Sequence, residues 1–283
     1  MSLEKKHNVT GWIFLIPATA LICWMSFYPM IKAFIMSMQT GIGINLTFGG
    51  AANYLRILKD PTFKQCLFNT FFYLIIQVPV MLVLALALAS MLNNKHLRFK
   101  GLFRTAIFLP CATSLVSYAM IFRSMFANDG FINTVLRGFG MNLLCGLQMH
   151  GPQVAVIIIA LIWRWTGYNM VFYLAGLQNI EYSVYEAAKI DGANGWKTFW
   201  GITVPLLKPT IIMTFIMSIN GTLQLFDESV NLTNGGPANA TITMSHYIYN
   251  NSLGQGVANF GYATAMSFFV FIIVAILAFI NMK

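Results

Sequence analysis

The sequence has very little charge for its length. Only 9% of its 283 residues are Asp, Glu, Lys or Arg, while 58% are apolar, and a soluble domain usually carries about 25% charged residues. A chain with so few polar side chains cannot cover the surface of a water-soluble globule with them. The composition therefore excludes a soluble globular protein and indicates a membrane protein.

The residue patterns that carry most catalytic or metal chemistry are also missing. The four cysteines show no C-x-x-C spacing and the four histidines no H-x-x-x-H pair, so no metal site is predicted. No G-x-x-x-x-G-K-[ST] loop occurs, and the nearest look-alike, Gly195-Trp196-Lys197-Thr198, lacks the glycine before lysine. The basic residues behind the net charge of +9 are scattered between apolar runs, which excludes a nucleic-acid partner. No cofactor is predicted in this chain.

Long apolar runs are what the sequence has in abundance. Each is long enough to cross about 30 Å of hydrocarbon at 1.5 Å per residue. They cover residues 11–36, 67–92, 105–126, 154–178, 210–230 and 262–281. Because backbone groups in lipid must be hydrogen-bonded within the segment or in a closed barrel, these runs are predicted to be helices. We therefore expect an all-α membrane protein of six transmembrane helices, forming one domain over residues 1–283.

The first apolar run follows Lys5 and Lys6, as the apolar core of a signal peptide would. It is too long for such a core and lacks a cleavage site of small residues. We expect it to be an uncleaved membrane anchor.

Lys and Arg are distributed unequally between the two sides of the predicted bundle. Ten lie on one side: Lys5, Lys6, Lys95, Arg98, Lys100, Arg104, Lys189, Lys197, Lys208 and Lys283. Five lie on the other: Arg56, Lys59, Lys64, Arg123 and Arg137. The positive-inside rule then predicts that both termini and the segment 181–209 are cytoplasmic.

The cysteines lie within or beside the apolar runs. Burial as small hydrophobic side chains is the favoured role for Cys23, Cys66, Cys111 and Cys145. A disulfide between Cys66 and Cys145, which both lie towards the outer face, stays open as an alternative.

Residues 181–209 interrupt the apolar pattern with charged side chains, glycines and alanines. Tyr182 to Asp191 has the composition of a short helix, and Gly192 is placed to end it in a left-handed conformation. Asn194 is a candidate cap for a second helix, which Pro205 and Pro209 are expected to stop before the fifth span. On that second helix Trp196, Phe199 and Trp200 would share one face. The pattern predicts a helix-turn-helix in the cytoplasm.

The first of these two helices has features of a docking element. Ala187 and Ala188 present almost no side chain, so another protein surface can approach the backbone, while Glu186 and Asp191 offer charged contacts at the edges. An amphipathic helix that lies at the membrane interface without a partner is the alternative.

The same segment resembles the EAA loop of binding-protein-dependent ABC importer permeases. That loop reads EAA, three residues, Gly, nine residues, then I-x-L-P. Here Glu186-Ala187-Ala188, Gly192 and Ile202-Thr203-Val204-Pro205 match it, with Val204 where leucine is usual. The run LTNGGPANAT, Leu232 to Thr241, strengthens the resemblance to the carbohydrate-uptake branch, of the maltose and glycerol-phosphate permease type.

The resemblance implies a non-enzymatic permease subunit in a bacterial inner (plasma) membrane. Two such permeases pair around a path, two cytoplasmic ATPases use ATP, and an extracytoplasmic solute-binding protein delivers a sugar or oligosaccharide. The residues matched to the coupling loop are Glu186, Ala187, Ala188, Asp191, Gly192, Ile202 and Pro205. A glycerol phosphodiester or another polar solute is the alternative cargo. An ion-coupled secondary transporter is disfavoured, because Arg164 alone is ionisable near the midplane of a span.

Polar residues inside the spans are expected to face protein or water, because lipid exposure is costly. Arg164, near the middle of its span, should have a partner or a wet cavity, and its neighbours Tyr168 and Asn169 suit sugar binding. In the fifth span Asn220, Gln224 and Asp227 lie along one stripe. These six residues are the candidate translocation path. Straight helices would leave Arg164 and Asp227 about 12 Å apart in depth, so a direct ion pair requires a break near Gly221.

Overall fold

Helices form along the apolar runs, as the sequence predicts. The computed structural model describes residues 3–43, 45–94, 97–127, 129–139, 150–254 and 256–281. The helices are α1 (Leu3–Ile22), α2 (Tyr28–Ser37), α3 (Ala52–Lys59), α4 (Pro61–Leu92), α5 (Lys100–Ala112), α6 (Leu115–Met125), α7 (Phe131–Gly138), α8 (His150–Gln178), α9 (Tyr182–Ile190), α10 (Gly195–Thr198), α11 (Val204–Leu223), α12 (Met244–Ser252) and α13 (Phe260–Asn281). One short hairpin, β1 (Gln39–Ile42) and β2 (Asn45–Phe48), was not predicted. The all-α membrane fold is confirmed.

Within the described residues, five helical stretches are long and apolar enough to span a membrane. They are Gly11–Ser37, Pro61–Leu92, Gln153–Gln178, Gly195–Leu223 and Phe260–Ile280. A sixth arises if α5 and α6 are counted as one span, although they meet at an angle of 97°.

The prediction of one unbroken helix over 105–126 is wrong, because the chain leaves helical geometry at Thr113 and Ser114. Both residues take extended ψ angles of 151° and 137°. The Thr113 hydroxyl donates to the carbonyl oxygen of Pro110 at 2.7 Å, and threonine side chains that bond backward in this way favour a helix end over a helix interior. The apolar pattern is continuous across the break, so the break could not be predicted from that pattern.

The predicted fifth span, 210–230, is also wrong at both ends. A π-helical turn, Phe199–Thr203, joins α10 to α11, so that helix continues through Pro205 and Pro209 and ends at Leu223. Pro205 lies in the first turn of α11, directly after the wider π turn, where a missing N–H is tolerated. The two prolines therefore do not stop the helix.

Contacts divide the chain into two units. The smaller comprises Met1–Asp60 with Ile248–Ile272, and the larger comprises Pro61–Tyr247 with Ile273–Lys283. They are described separately below.

The smaller unit contains α1 and α2, joined by a π-helical turn at Cys23–Phe27, and the β1–β2 hairpin. Asn53 of α3 donates from Nδ2 to the carbonyl oxygens of Ser37 and Gln39, which satisfies the end of α2. The buried Tyr262 hydroxyl donates to Asp60 at 2.6 Å, and the guanidinium of Arg56 lies 4.1 Å from the Tyr262 ring centroid. These contacts fix α3 against α13 within this unit.

The larger unit is built around α8, which packs against α4, α5 and α11. Two glycines of α8 allow this close packing. A Cβ at Gly167 would collide with the carbonyl oxygen of Ile107 in α5, and a Cβ at Gly176 would lie 2.7 Å from the Leu207 side chain in α11. The buried hydroxyls of Tyr173 and Thr214 are 2.8 Å apart and link α8 to α11.

The cysteines follow the burial prediction only in part. Cys66 of α4 is buried and Cys111 is half-buried, but Cys23 is exposed. Cys23 lies in a helical stretch whose side chains from residue 11 to residue 32 are not covered by the rest of the described chain. The alternative of a Cys66–Cys145 pair stays a prediction, because Cys145 lies outside the described residues.

Candidate functional site

A cavity of about 840 Å³ lies inside the larger unit. Its lining comes from α4, the α5–α6 region, α8, the end of α11 and the segment that follows α11. The lining residues used below are Gln77, Met81, Arg164, Trp165, Tyr168, Asn169, Asn220, Thr222, Gln224, Asp227 and Glu228. All six residues of the predicted translocation path therefore face one cavity. Their contact with a substrate stays a prediction.

Arg164 is buried in α8 with 6% of its surface exposed. Its Nη2 donates to the carbonyl oxygen of Thr113 at 3.2 Å. The guanidinium carbon also lies 5.0 Å from the Tyr118 ring centroid and 5.7 Å from that of Trp165. Arg164 thus donates to the backbone at the break between α5 and α6 and lies over two aromatic rings.

The end of α11 brings two carboxylates to this cavity. After Leu223 the chain turns through Gln224, Leu225 and Phe226 and enters a second short helical segment at Asp227. The turn places Asp227, which is half-buried, and Glu228, which is 4% exposed, among the lining residues. Both carboxylates therefore reach the cavity that Arg164 lines, because the helix ends instead of continuing to residue 230.

Amide groups are held in fixed positions in the same cavity. Thr222 donates to Oε1 of Gln77 at 3.0 Å, and the amide nitrogen of Gln77 contacts the Met81 sulfur at 3.1 Å. Asn169 donates to the carbonyl oxygen of Trp165 at 3.1 Å. The cavity wall therefore combines these amides with apolar side chains and with the aromatic faces of Trp165 and Tyr168, whose rings pack edge to face at 5.7 Å.

The segment after α11 is tied to α4 by buried polar contacts. Asn69 of α4 donates from Nδ2 to the carbonyl oxygens of Asn239 and Ile242. The chain turns at Asn234–Pro237, with positive φ at Asn234, Gly235 and Gly236. These contacts order the LTNGGPANAT run against the helix that also lines the cavity.

His246 of α12 forms part of this ordered segment. Its Nδ1 lies 2.9 Å from the Ser229 hydroxyl, and that hydroxyl also donates to the carbonyl oxygen of Thr241 at 2.9 Å. Burial lowers the pKa of His246. The neutral imidazole is therefore the favoured form at this position.

The predicted helix-turn-helix is present at α9 and α10. The N–H of Ala193 donates to the carbonyl oxygen of Ala188, and that of Gly192 to Lys189, which is the hydrogen-bond pattern of a Schellman motif. Gly192 has a φ of 74°, as a left-handed helix end requires. The backbone N–H of Lys197 donates to Oδ1 of Asn194 at 2.9 Å, so Asn194 caps the second helix as predicted.

The exposed face of α9 differs from the predicted one in one residue. Glu186 and Ala187 are exposed, as are Asp191 and Gly192 in the turn, but Ala188 is only 5% exposed. Ala188 is buried because it lies on the side of α9 that the chain itself covers, so the expectation that it offers a bare face to a partner is wrong. The tip carries Ile190 instead, with 86% of its surface exposed.

The second helix carries the predicted aromatic face. The rings of Trp196 and Trp200 are 5.8 Å apart and those of Phe199 and Trp200 are 5.4 Å apart. Trp196 and Trp200 are exposed. Ile202 is half-buried and Pro205 exposed along the same continuous helix, which leads from the turn to the cavity residues of α11.

Sequence reasoning missed three contributors to these sites. Glu228 is absent from the predicted path, Thr113 lies in an apolar run, and Ile190 is one apolar residue among many. A signal existed for Glu228 alone, because an ionisable residue placed inside a predicted span is costly unless it is used.

Comparisons with known proteins agree with this architecture. Residues 51–282 match the family described as binding-protein-dependent transport system inner membrane component. The chain is 48% identical over 284 residues to the lactose transport system permease protein LacF of Rhizobium radiobacter, covering 99% of this chain and 95% of that protein. It is 33% identical over 284 residues to the arabinooligosaccharides transport system permease protein AraP of Bacillus subtilis (strain 168), covering 99% of this chain and 90% of that protein.

A solved structure shares the fold. A chain of a bacterial alginate ABC transporter in complex with an alginate-bound periplasmic protein superposes with a TM-score of 0.86 at 21% identity. The superposition covers 98% of this chain and 94% of that one. With the family match over residues 51–282, the chain belongs to the inner membrane components of binding-protein-dependent transport systems.

Proposed function

We propose that this chain is the permease subunit of an ATP-driven importer of a neutral sugar or oligosaccharide. It would pair with a second permease, receive the sugar from an extracytoplasmic solute-binding protein, and be driven by two cytoplasmic ATPases. Nucleotide binding and hydrolysis belong to those ATPases in this proposal, and this chain is not an enzyme.

One observation carries the proposed mechanism: an unbroken helical path joins the surface hairpin to the cavity. The stretch Gly195–Leu223 is 29 residues long, which corresponds to about 43 Å at 1.5 Å per residue. It begins at the capped turn after Gly192 and ends at the cavity residues Asn220 and Thr222. A displacement of the hairpin by a motor subunit would therefore move the cavity wall directly.

The exposed surface of the hairpin suits a protein groove. Ile190 projects an apolar side chain from the tip, and Glu186 and Asp191 place charges beside it. An apolar anchor with charged flanks is typical of a helix that inserts into a groove. We assign the ATPase contact to this surface, with Gly192 setting the turn, and Ile202 and Pro205 lying along the helix that transmits the movement.

The orientation follows from the distribution of basic residues. The excess of Lys and Arg, ten against five, lies on the side of the termini and of segment 181–209. We therefore place both termini and the hairpin in the cytoplasm and the LTNGGPANAT run on the outer side.

The substrate class rests on the cavity and on the relatives. LacF is a lactose permease by name and AraP an arabinooligosaccharide permease. The cavity here combines the rings of Trp165 and Tyr168 with amides from Gln77 and Asn169. Such rings pack on the C–H faces of sugars and amides bond their hydroxyls. A neutral disaccharide such as lactose is the first substrate to test.

Transport in reconstituted vesicles tests the proposal. The complete importer, with its second permease, ATPases and solute-binding protein, is placed in proteoliposomes with radiolabelled lactose outside and ATP at the ATPase side. We expect uptake that needs hydrolysable ATP and the sugar-loaded binding protein. Uptake driven by an ion gradient alone, or uptake without the ATPases, contradicts the proposal. A glycerol phosphodiester taken up in place of sugars contradicts its substrate class.

A further inference from the structure

The loop between α4 and α5 concentrates positive charge at one end of the larger unit. Four Lys and Arg residues fall within positions 95–104, and the chain has no Asp or Glu between Asp60 and Asp129. Three of the four lie in the described part of the chain, one exposed and two half-buried: Arg98, Lys100 and Arg104. These three residues are called the basic patch below. No acidic residue that is near in sequence neutralises the patch.

Large apolar side chains are exposed beside the basic patch. Phe99 precedes α5 with 75% of its surface exposed, and Leu102 and Phe103 in the first turn of α5 are 68% and 46% exposed. Phe99 also has a φ of 59°, in the left-handed region that a bulky residue rarely adopts. The backbone is therefore strained at a residue whose ring the described part of the chain leaves uncovered. Burial of this ring outside the chain would compensate for that strain.

The loop lies where a membrane span ends. The span Pro61–Leu92 is 32 residues long, which corresponds to about 48 Å at 1.5 Å per residue, whereas the hydrocarbon core is about 30 Å thick. The residues that follow Leu92 therefore lie in or next to the headgroup layer. The basic patch is within reach of lipid phosphates at that depth.

A basic patch beside exposed aromatic rings matches the chemistry of an anionic phospholipid. Guanidinium and ammonium groups donate to phosphate oxygens, and apolar rings pack at the boundary with the acyl chains. Clusters of four or more Lys and Arg directly on the cytoplasmic side of a span are typical of anionic-lipid recognition, and the orientation proposed above puts this loop on that side. A zwitterionic lipid has the same acyl chains but no net charge, so the patch would select between the two by charge.

The exposed apolar surface favours a lipid over a protein partner, because it does not stop at the loop. It continues along α5 through Phe108 and Leu109, which are 37% and 56% exposed. Leu102 and Leu109 are seven residues apart and therefore lie on one face of the helix. One apolar face with a basic end has the layout of a single phospholipid, whose acyl chain follows the helix and whose phosphate lies at the helix start.

We propose that the basic patch and the exposed face of α5 form a binding site for an anionic phospholipid of the surrounding membrane. The phosphate contacts Arg98, Lys100 and Arg104, and an acyl chain lies along Leu102 and Leu109. This site is separate from the cavity and from the hairpin of α9 and α10. It rests on the proposed orientation of the chain and not on the identity of the transported solute.

Photocrosslinking in vesicles of defined composition tests this site. The assembled importer is reconstituted in phosphatidylcholine vesicles with a trace of either phosphatidylglycerol or phosphatidylcholine that carries the same photoreactive acyl chain. Mass spectrometry then quantifies the lipid attached to residues 97–109. Wild type is compared with Arg98→Gln/Lys100→Gln, with the charge-keeping Arg98→Lys/Lys100→Arg, and with the control Lys59→Gln/Lys64→Gln, which removes two exposed charges elsewhere.

We expect wild type to attach more phosphatidylglycerol than phosphatidylcholine at these residues. One Lys or Arg near an anionic surface changes binding about fivefold, so the Arg98→Gln/Lys100→Gln pair should lower this preference about 25-fold. The charge-keeping pair and the Lys59→Gln/Lys64→Gln control should keep the wild-type preference. Raising the salt concentration from about 0.1 M to about 1 M should reduce the preference in wild type, because salt screens exposed charges.

Three results overturn the inference. The first is equal attachment of the two lipids to wild type, and the second is a preference that survives unchanged in Arg98→Gln/Lys100→Gln. The third is the absence of lipid on residues 97–109 in an assembled importer whose other spans are labelled, which would show that a partner subunit covers the patch. Lactose uptake by the same vesicles is recorded separately, because lipid attachment requires no transport. A wild type that attaches phosphatidylglycerol but takes up no sugar contradicts the proposed function alone.

Discussion

The guanidinium of Arg164 donates a hydrogen bond to the carbonyl oxygen of Thr113, 3.2 Å away. Thr113 lies where α5 ends and the chain bends before α6, so this carbonyl has lost its place in a helix ladder. A charged side chain of α8 therefore completes the backbone of a broken helix while also lining the cavity. Arg164 therefore connects the bend between α5 and α6 to the cavity wall.

Replacing Arg164 with lysine separates its charge from its geometry. Lysine keeps the positive charge but lacks the planar fork that reaches Thr113 and lies over the Tyr118 ring. We expect a loss of stability of about 1–3 kcal/mol, as for a buried carbonyl left without a donor. The measurement is the thermal unfolding of the purified complex, with Arg98→Lys, outside the cavity, as the control. Equal unfolding temperatures for both variants would contradict the role of the Thr113 contact.

Gly167 is predicted to be irreplaceable at the contact of α8 with α5. The Cβ of an alanine would overlap the carbonyl oxygen of Ile107, which is backbone and has little freedom to move. We expect Gly167→Ala to destabilise the protein by about 1–3 kcal/mol, the usual cost of overpacking. Gly101→Ala in α5, where the added Cβ meets open space, is the matched control. The prediction fails if the unfolding temperatures of the two variants agree.

Gly192 is predicted to be required for the turn between α9 and α10 because of its backbone angle alone. Nothing lies within 4 Å of a Cβ at this position, but its φ of 74° costs a non-glycine residue about 1–2 kcal/mol. For valine, with its branched Cβ, we expect a distorted turn, loss of co-purifying ATPase and loss of uptake, while the solute-binding protein still binds its ligand. Gly101→Ala again serves as the control. Normal ATPase recovery with Gly192→Val would show that the turn geometry is not needed for coupling.

His246 makes stability depend on pH. Because burial lowers its pKa below the ordinary value of about 6.5, the unfolded chain binds more protons than the folded chain just below that pH. The free energy of unfolding therefore rises with pH across this window. The stabilisation that the neutral imidazole contributes is lost as pH falls through about 6.5 towards the lowered pKa. Unfolding temperatures recorded between pH 5 and pH 8 measure this change in stability. The expected drop at low pH should shrink in His246→Gln, and an identical drop in that variant would contradict the assignment.

Much of this fold can be predicted from the sequence because its strongest patterns follow from physical requirements on the backbone. Long apolar runs must be helical in lipid, so the helices predicted at 67–92 and 154–178 lie within α4 (Pro61–Leu92) and α8 (His150–Gln178). Gly192 and Asn194 have conformational preferences strong enough to place the turn of the hairpin. These features depend on local chemistry and need no knowledge of the tertiary structure.

The remaining features are set by neighbours that the sequence does not reveal. The break at Thr113 is stabilised by Arg164 of another helix, and no local sequence pattern indicates this break. The prolines at 205 and 209 would stop an ordinary helix, but Pro205 follows directly on a π turn, and the helix continues through Pro209. Ala188 was predicted to face a partner, and only tertiary packing shows that the chain covers it.

The candidate path was predicted residue by residue, whereas its geometry was not. Asn220, Gln224 and Asp227 were placed on one stripe of a straight helix, yet Asp227 reaches the cavity because α11 ends at Leu223. The same turn brings in Glu228, which a straight helix would place about 100° away from Asp227 around its axis. The position where α11 ends therefore determines which charged side chains line the cavity.

Crosslinking from the tip of the hairpin tests the central claim most directly. A cysteine at Ile190, introduced into a variant without the native cysteines, is crosslinked in the assembled importer by a short reducible bifunctional reagent. We predict a covalent link to an ATPase subunit that stops ATP-driven uptake, and full recovery after reduction. Uptake that continues with the link in place, or an Ile190→Cys that reacts with no ATPase at any stage of turnover, would contradict a hairpin that transmits the movement of the motor to the cavity.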